Sequence, residues 1–172
     1  QAEQWINNPK FIPLSLKNFL DKESSNEIVK LNHLIEKDTK NIGSYIAKFI
    51  NSNRNSVLAI QGPPGTGKTT VTANCIYKMA SFGLKIAVSS NSHSVINNLL
   101  IKVKECCELN NFEVPILKSE NRSKPDEDLE ISNIPTIQTK KISDNIEGSC
   151  IVGGTVWALC LSDLSEKFDV LV

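Results

Sequence analysis

The sequence has few of the features that mark a secreted, membrane-spanning or strongly charged protein. Its 172 residues include five cysteines, an odd number with no CxxC pair. This argues against a disulfide scaffold or a zinc ribbon and favours the reducing cytoplasm. No apolar run approaches the roughly 18 residues that cross a bilayer, so no membrane partner is expected. Lys plus Arg and Asp plus Glu each number 19, which excludes a strongly basic arm and an acidic tail.

The two ends of the sequence lack the marks of a complete chain. The first four residues, Gln1 to Gln4, have neither the basic segment nor the apolar segment of a signal peptide. The first residue is not Met, and residues 168–172 break off inside an apolar run. We therefore expect a piece of a longer protein, although 172 residues suffice for one hydrophobic core.

Negative charge is missing from the middle of the chain. Residues 57–100 contain three lysines and no Asp or Glu. A binding site for a polyanion excludes carboxylates, because like charges repel at short range. Chance within a strand-rich core explains the same pattern equally well.

Short apolar runs alternate with helical patterns along most of the chain. Apolar residues recur at helical spacing in 42–50 and 94–108, a further helix starts near Ser24, and 69–81 reads as a helix that stops at Gly83. The apolar runs predict strands at 57–60, 85–88, 114–117, 150–152 and 168–172. Pro115 limits its strand to a sheet edge. The alternation predicts an α/β fold with a parallel sheet and flanking helices, interrupted by a polar surface insertion or small subdomain at 119–148.

One motif carries most of the chemistry. Between a predicted strand and a predicted helix the chain reads Gly62-Pro63-Pro64-Gly65-Thr66-Gly67-Lys68-Thr69. This is the phosphate-binding pattern G-x-x-x-x-G-K-[ST]. Glycines allow several backbone N–H groups to face one anion, and the following helix adds the positive end of its dipole. A glycine-rich turn that binds nothing is the alternative.

Individual roles follow from this pattern. Lys68 is placed to reach the β- and γ-phosphates of a nucleoside triphosphate, and the Thr69 hydroxyl to ligate Mg²⁺. These two are the candidate catalytic residues, with Thr69 the metal ligand. The predicted nucleotide-binding residues are Gly62, Pro63, Pro64, Gly65, Thr66, Gly67, Lys68, Thr69 and Thr70.

A second set of polar residues follows other predicted strands. Asn91, Ser92 and His93 stand between a strand and a helix, and Thr155 follows Gly153-Gly154. Such positions lie at the carboxyl edge of a parallel sheet and suit a nucleic-acid phosphate. The alternatives are a plain helix cap by Ser92 or Ser94 with His93 idle, and a tight turn at Thr155. We expect Trp157 to pack in the core, with stacking on a base as the alternative.

The motifs together resemble those of superfamily 1 helicases of the 5′-to-3′ branch. Residues 61–69 resemble motif I, 87–100 motif Ia, 151–157 motif Ic, and 168–172 the strand that leads into motif II. The motifs are most similar to those in the helicase part of bacterial RecB-like nuclease–helicase fusions. The similarity rests on two sequence patterns, Ser-His-x-Val-Ile-x-Asn-Leu-Leu and Val-Gly-Gly-Thr-x-Trp. Phe168 comes 100 residues after Lys68, a wider gap than ring ATPases usually have.

The resemblance implies a P-loop NTPase with a RecA-like fold. Residues 57–172 would form an incomplete motor domain, preceded by a lead-in and helices at 1–56. The parent enzyme would use ATP and Mg²⁺ to move along single-stranded DNA, with RNA as an alternative. The expected partners are a second motor domain and a nuclease domain of the same parent chain. The chain alone is expected to hydrolyse little ATP.

Two other functions stay open. A small P-loop phosphotransferase would need an arginine-rich lid, and the chain has only Arg54 and Arg122. A non-catalytic module that senses nucleotide would bind ATP without needing its hydrolysis.

Overall fold

The computed structural model describes residues 26–53, 55–120, 129, 132–164 and 166–172. The predicted lead-in before residue 26 lies outside them. The described residues form two compact units, the first within residues 1–68 and the second within residues 69–172. No helix in these ranges is long and apolar enough to span a membrane.

The described part of the first unit contains two helices before the glycine-rich loop. Helix α1 spans Asn26–Lys37 and helix α2 spans Ile42–Ser52. The buried apolar side chains are those of Leu31 on α1 and of Ile46, Ala47 and Phe49 on α2. The turn between the helices is closed by Asp38, whose carboxylate accepts hydrogen bonds from the side chains of Asn41 (2.8 Å) and Tyr45 (3.1 Å). The helical spacing of apolar residues therefore predicted α2 correctly.

The predicted buried strand at residues 57–60 is wrong. These residues have no regular secondary structure, and Val57 and Ile60 are 39% and 44% exposed. A short apolar run becomes a strand only when another strand pairs with it, and the five paired strands of the described structure all lie within residues 85–171. An apolar run alone does not provide that partner.

The second unit is built on a five-stranded sheet. Its strands are β1 (Lys85–Ser89), β2 (Ile116–Ser119), β3 (Thr136–Ile137), β4 (Cys150–Gly154) and β5 (Val170–Leu171). They lie in the order β3-β2-β4-β1-β5, and every neighbouring pair is parallel. Its described helices include α3 (Lys68–Ser81, shared with the end of the first unit), α4 (His93–Leu109) and the one-turn α5 (Val156–Leu159). The predicted α/β fold with a parallel sheet and flanking helices is confirmed.

Pro115 does not confine its strand to an edge. It precedes β2, which lies inside the sheet between β3 and β4. Proline lacks only the N–H group, and its carbonyl oxygen accepts a hydrogen bond from the N–H of Ile151 at 2.9 Å. The proline therefore starts an internal strand without losing a ladder bond.

The described part of the predicted surface insertion at 119–148 belongs to the body of the second unit. Strand β3 extends the sheet, and Ile142 and Ile146 are 0% and 6% exposed. Both isoleucines share a hydrophobic cluster with Leu117 and Val152 of the sheet. The predicted surface placement is wrong because this mostly polar segment contains widely spaced apolar residues that pack into the core.

Strand β4 and helix α4 approach each other closely at Gly153. A Cβ atom there would lie 2.6 Å from Cδ1 of Leu100 and 2.7 Å from Cγ2 of Ile96. Both side chains are fully buried. This packing fixes the start of α4 above the edge where β1, β2 and β4 end, at Ser89, Ser119 and Gly154. In parallel sheets this carboxyl edge is where ligands bind.

Candidate functional site

The glycine-rich loop has the backbone shape that an anion cradle needs. Gly65 and Gly67 have φ angles of 78° and 77°, which L side chains rarely adopt. No atom lies within 4 Å of the position of a Cβ at either residue. The backbone conformation, not side-chain crowding, therefore requires glycine there. The hydroxyl of Thr66 closes the loop by donating to the carbonyl oxygen of Pro63 at 2.8 Å.

Lys68 holds the same loop from its far end. Its Nζ donates to the carbonyl oxygens of Gly62 and Pro63 at 2.7 and 2.6 Å. Gly62 gives room for this arrangement, because a Cβ there would lie 3.1 Å from Thr66 Oγ1. The ammonium group thus sits over the loop, paired with neutral oxygens that a phosphate oxygen can replace.

The N–H groups around Lys68 are available to an anion. Within the described part of the first unit, no backbone acceptor pairs with the N–H of Gly65, Gly67 or Lys68. Helix α3 begins at Lys68, and Thr69 and Thr70 follow in its first turn with exposed side chains. Free N–H groups, a helix start and a hydroxyl beside the lysine are the donor set that a magnesium-bound polyphosphate requires. The residues present therefore fit the phosphate tail of a nucleotide and its Mg²⁺.

The second unit carries a groove of about 450 Å³ at the carboxyl edge of its sheet. Two of the predicted nucleic-acid residues, His93 and Thr155, line it together. Oε1 of Glu120 lies 3.3 Å from Nδ1 of the His93 ring. Glu120 is buried directly after β2, so the His93 ring has a carboxyl group as its neighbour. The other lining residues are Ser119, Thr139, Lys140, Trp157, Ala158 and Leu161.

Asn91 and Ser92 lie in the turn just before His93. Asn91 is exposed, and Ser92 occupies the position before the first residue of α4. In the described structure Ser92 makes no side-chain capping bond, and its hydroxyl pairs with that of Ser94 at 2.8 Å. A plain helix cap therefore does not account for this serine pair.

Trp157 is on the surface, so the expected core packing is wrong. Its side chain is 88% exposed, although it stands in α5 directly beyond β4. Leu159 of the same helix turns inward and packs on the hydrophobic cluster of the sheet. A single helical turn cannot bury both residues, because positions two apart face different sides.

The sequence did not single out Lys140, Glu120 or Thr139. Glu120 directly follows β2, and Thr139 and Lys140 follow β3 by two and three residues. The strand-end rule that selected Thr155 identifies them as well, once these strands are known. Strand β3 has only two residues, too few to show any periodicity in the sequence.

Comparison with known proteins agrees with this arrangement. Residues 20–156 match the AAA_11 family, described as "AAA domain". The chain is similar to the "DNA replication ATP-dependent helicase/nuclease DNA2" of Saccharomyces cerevisiae, with 30% identity over 66% of the chain and 7% of that protein. The protein of that name in Xenopus laevis is 26% identical over 52% of the chain and 9% of its own length.

A shorter stretch, 27% of the chain, is 43% identical to the protein of the same name in Schizosaccharomyces pombe. No solved structure matches the chain. The chain spans less than a tenth of the length of the curated relatives. The family match, by contrast, covers most of the chain and includes both the glycine-rich loop and the strands of the groove. The chain therefore belongs to the AAA_11 family of AAA domains.

Proposed function

We propose that the chain is the ATP-binding part of an ATP-dependent helicase, in which ATP hydrolysis drives movement along single-stranded DNA. The observation that carries the proposal is the loop at 62–68, where the Lys68 ammonium group contacts two loop carbonyl oxygens and Gly65 and Gly67 have left-handed φ angles. The family match and the names of the three relatives support the helicase assignment.

The loop residues bind and orient the nucleotide. Gly62, Pro63, Pro64, Gly65, Thr66 and Gly67 form the cradle, and the N–H groups of Gly65, Gly67 and Lys68 donate to phosphate oxygens. Lys68 exchanges the two carbonyl oxygens it now contacts for phosphate oxygens, and so offsets charge on the transferred group. Thr69 would hold Mg²⁺, and Thr70 adds a second hydroxyl in the same turn. When bound, magnesium ATP supplies the phosphoryl group whose transfer to water releases free energy.

The carboxyl edge of the sheet is the proposed nucleic-acid surface. His93 and Thr155 line one groove, and Asn91 and Ser92 lie immediately before His93. Hydroxyl, amide and imidazole groups of this kind donate to phosphates without reading the base sequence. Single-stranded DNA is the proposed ligand, and RNA offers the same phosphate chemistry.

The residues of the motifs support a finer assignment within the helicases. We assign residues 57–172 to one motor domain of the 5′-to-3′ branch of superfamily 1, most similar to RecB-like nuclease–helicase fusions. In such an enzyme a second motor domain and a nuclease domain complete the machine. The chain alone therefore binds Mg-ATP but turns it over slowly.

Calorimetry with Mg-ATP on the chain and on Lys68→Ala tests the proposal. Loss of a charge-assisted hydrogen bond weakens binding by roughly 10- to 150-fold. Lys48→Ala, which removes an exposed lysine from α2 in the same unit, is the matched control and leaves binding unchanged. Absence of binding by the chain at millimolar Mg-ATP, or equal binding by Lys68→Ala, would contradict the proposal. Rapid DNA-stimulated phosphate release by the chain alone would contradict the prediction of slow turnover.

A further inference from the structure

Trp157 is a large apolar surface presented to water at the mouth of the groove. Its side chain is 88% exposed, and the indole lines the groove together with Thr155 and Ala158 of the same turn. An exposed tryptophan gains free energy from any partner that covers it. An indole is also the type of surface on which an unpaired nucleic-acid base stacks.

The helical turn that carries Trp157 is anchored, so the indole is already in place. The N–H groups of Ala158 and Leu159 donate to the carbonyl oxygen of Thr155 at 2.9 and 3.1 Å. Leu159 contacts Gly154, where a Cβ would lie 3.2 Å from the leucine side chain. Binding therefore orders little additional backbone. The entropy cost of binding is correspondingly small, which favours affinity.

A lysine on another segment of the groove supplies positive charge. Lys140 is exposed in the turn Thr139–Lys141 that follows β3. The turn is fixed by a hydrogen bond of 2.8 Å from the N–H of Lys141 to the carbonyl oxygen of Gln138, and by the buried Ile142 behind it. Among the described residues that line the groove, the one carboxylate is Glu120, and both of its oxygens are buried. An anion that enters the groove therefore meets a cation and no exposed negative charge.

We propose that Trp157 stacks on one unpaired base of a single-stranded nucleic acid, and that Lys140 and Thr155 bind the phosphate beside that base. The inference rests on the proposed function, because it assumes that a nucleic acid crosses the carboxyl edge of the sheet. It adds a base-stacking site to a surface otherwise expected to contact phosphates only. Stacking uses the face of the base, so this site binds all four bases with little preference.

The groove lining combines an exposed indole with polar and charged side chains, which favours a nucleic acid over a protein partner. His93, Lys140 and Thr155 line the same groove as Trp157. An isolated aromatic next to phosphate-binding groups matches the repeating unit of a single strand, a flat base joined to an anion. The groove volume of about 450 Å³ falls within the usual range for small-ligand sites.

The test compares two DNA oligomers of equal length that differ only in their bases. One is oligo(dT), and the other carries abasic sugars with the same number of phosphates. Binding of labelled oligomers is measured by fluorescence anisotropy for the wild-type chain and for Trp157→Ala, Trp157→Phe and Trp157→Leu. Trp157→Ala is expected to weaken oligo(dT) binding roughly 5- to 150-fold and to leave binding of the abasic oligomer unchanged. Trp157→Phe retains most of the affinity, whereas Trp157→Leu does not.

Lys140 is tested against its neighbour. Lys140→Ala is expected to weaken binding of both oligomers and to lower the slope of log K against log salt by about 0.7. Lys141→Ala is the matched control, since it removes the same charge from the same turn but lies outside the groove lining. It leaves the slope nearly unchanged. Equal effects of the two substitutions would overturn the phosphate contact of Lys140.

Intrinsic fluorescence gives an independent readout. The chain has two tryptophans, so in the Trp5→Phe variant only Trp157 emits. Oligo(dT) is expected to quench this emission, and the abasic oligomer is not. If the wild-type chain binds oligo(dT) but Trp157→Ala binds it equally well, the stacking site is refuted. If the wild-type chain binds neither oligomer, the nucleic-acid part of the proposed function fails as well.

Discussion

The Nδ1 atom of His93, the first residue of α4, lies 3.3 Å from Oε1 of Glu120, the residue that follows β2. This contact joins a helix start to a strand end far along the sequence. The carboxylate is buried, while the imidazole is partly exposed at the groove. The pair therefore places a buried carboxyl group beside the histidine that the sequence marks as a candidate phosphate contact.

Removal of the imidazole leaves a buried carboxylate with fewer partners. His93→Ala is expected to lower the free energy of unfolding by about 1–3 kcal/mol. Urea denaturation measures this change. The double variant His93→Ala/Glu120→Gln should recover part of the loss, because the amide carries no charge to leave uncompensated. A double variant as unstable as the sum of the two single variants would show that the contact has no energetic coupling.

Alanine substitutions at Gly67 and Gly83 distinguish the effect of backbone strain on stability from the effect on nucleotide binding. Their φ angles are 77° and 88°, and a Cβ atom at either residue would meet only open space. Alanine at either position is therefore expected to destabilise the protein by about 1–2 kcal/mol through its backbone conformation. Only Gly67→Ala should weaken Mg-ATP binding, since Gly83 merely follows the end of α3. Thermal unfolding and calorimetry on both variants check this. Equal ATP affinity in both would contradict the cradle.

Gly153 tests the close approach between β4 and α4. The methyl group of Gly153→Ala would overlap the side chains of Leu100 and Ile96, and overpacking of this kind costs about 1–3 kcal/mol. Gly154→Ala meets its nearest atoms at 3.2 Å and should be milder. Chemical denaturation ranks the two variants. The double variant Leu100→Ala/Gly153→Ala is expected to be more stable than the sum of the two single changes in unfolding free energy predicts. A strictly additive sum would refute the overlap.

The cysteines should differ sharply in reactivity. Cys75, Cys106, Cys107 and Cys150 are buried, whereas Cys160 is exposed. Burial raises the pKa of Cys75 to about 12 and that of Cys107 to about 11, so both stay protonated and unreactive at neutral pH. A chromogenic disulfide reagent at mildly alkaline pH should titrate one thiol quickly and the others only after unfolding. Retention of the fast phase in Cys160→Ser would contradict the assignment.

Because of Asp38, we expect the first unit to lose part of its stability in acid. Hydrogen bonds, first from the Asn41 side chain, lower the pKa of this carboxyl below its ordinary value. A lowered pKa in the folded state contributes stability that is present above the unfolded pKa, and it is lost as pH falls through the folded pKa. Asp38→Asn should therefore lose less stability than the wild type between about pH 5 and pH 2. Urea titrations across this range measure the difference, and parallel curves would refute it.

The sequence by itself determined the glycine-rich loop and the longer helices. The loop at 62–69 is contiguous, so the residue types alone reveal its chemistry, and the absence of Cβ permits the left-handed φ angles of Gly65 and Gly67. Helix α2 shows its buried face within its own 11 residues. The strand pattern also indicated the parallel sheet, since β1 and β4 are short apolar runs flanked by helices or turns.

Only the tertiary structure decided the groove. His93, Glu120, Lys140 and Trp157 come from four separate segments and meet because β1, β2, β3 and β4 all end at one edge. Strand β3 has only two residues, too few to show an alternating pattern in the sequence. The indole of Trp157 is exposed to water because Leu159 of the same turn packs inward, and the hydrophobicity of Trp157 does not decide this. Local patterns depend on neighbours in the chain, whereas exposure and pairing depend on which distant surfaces compete for the same core.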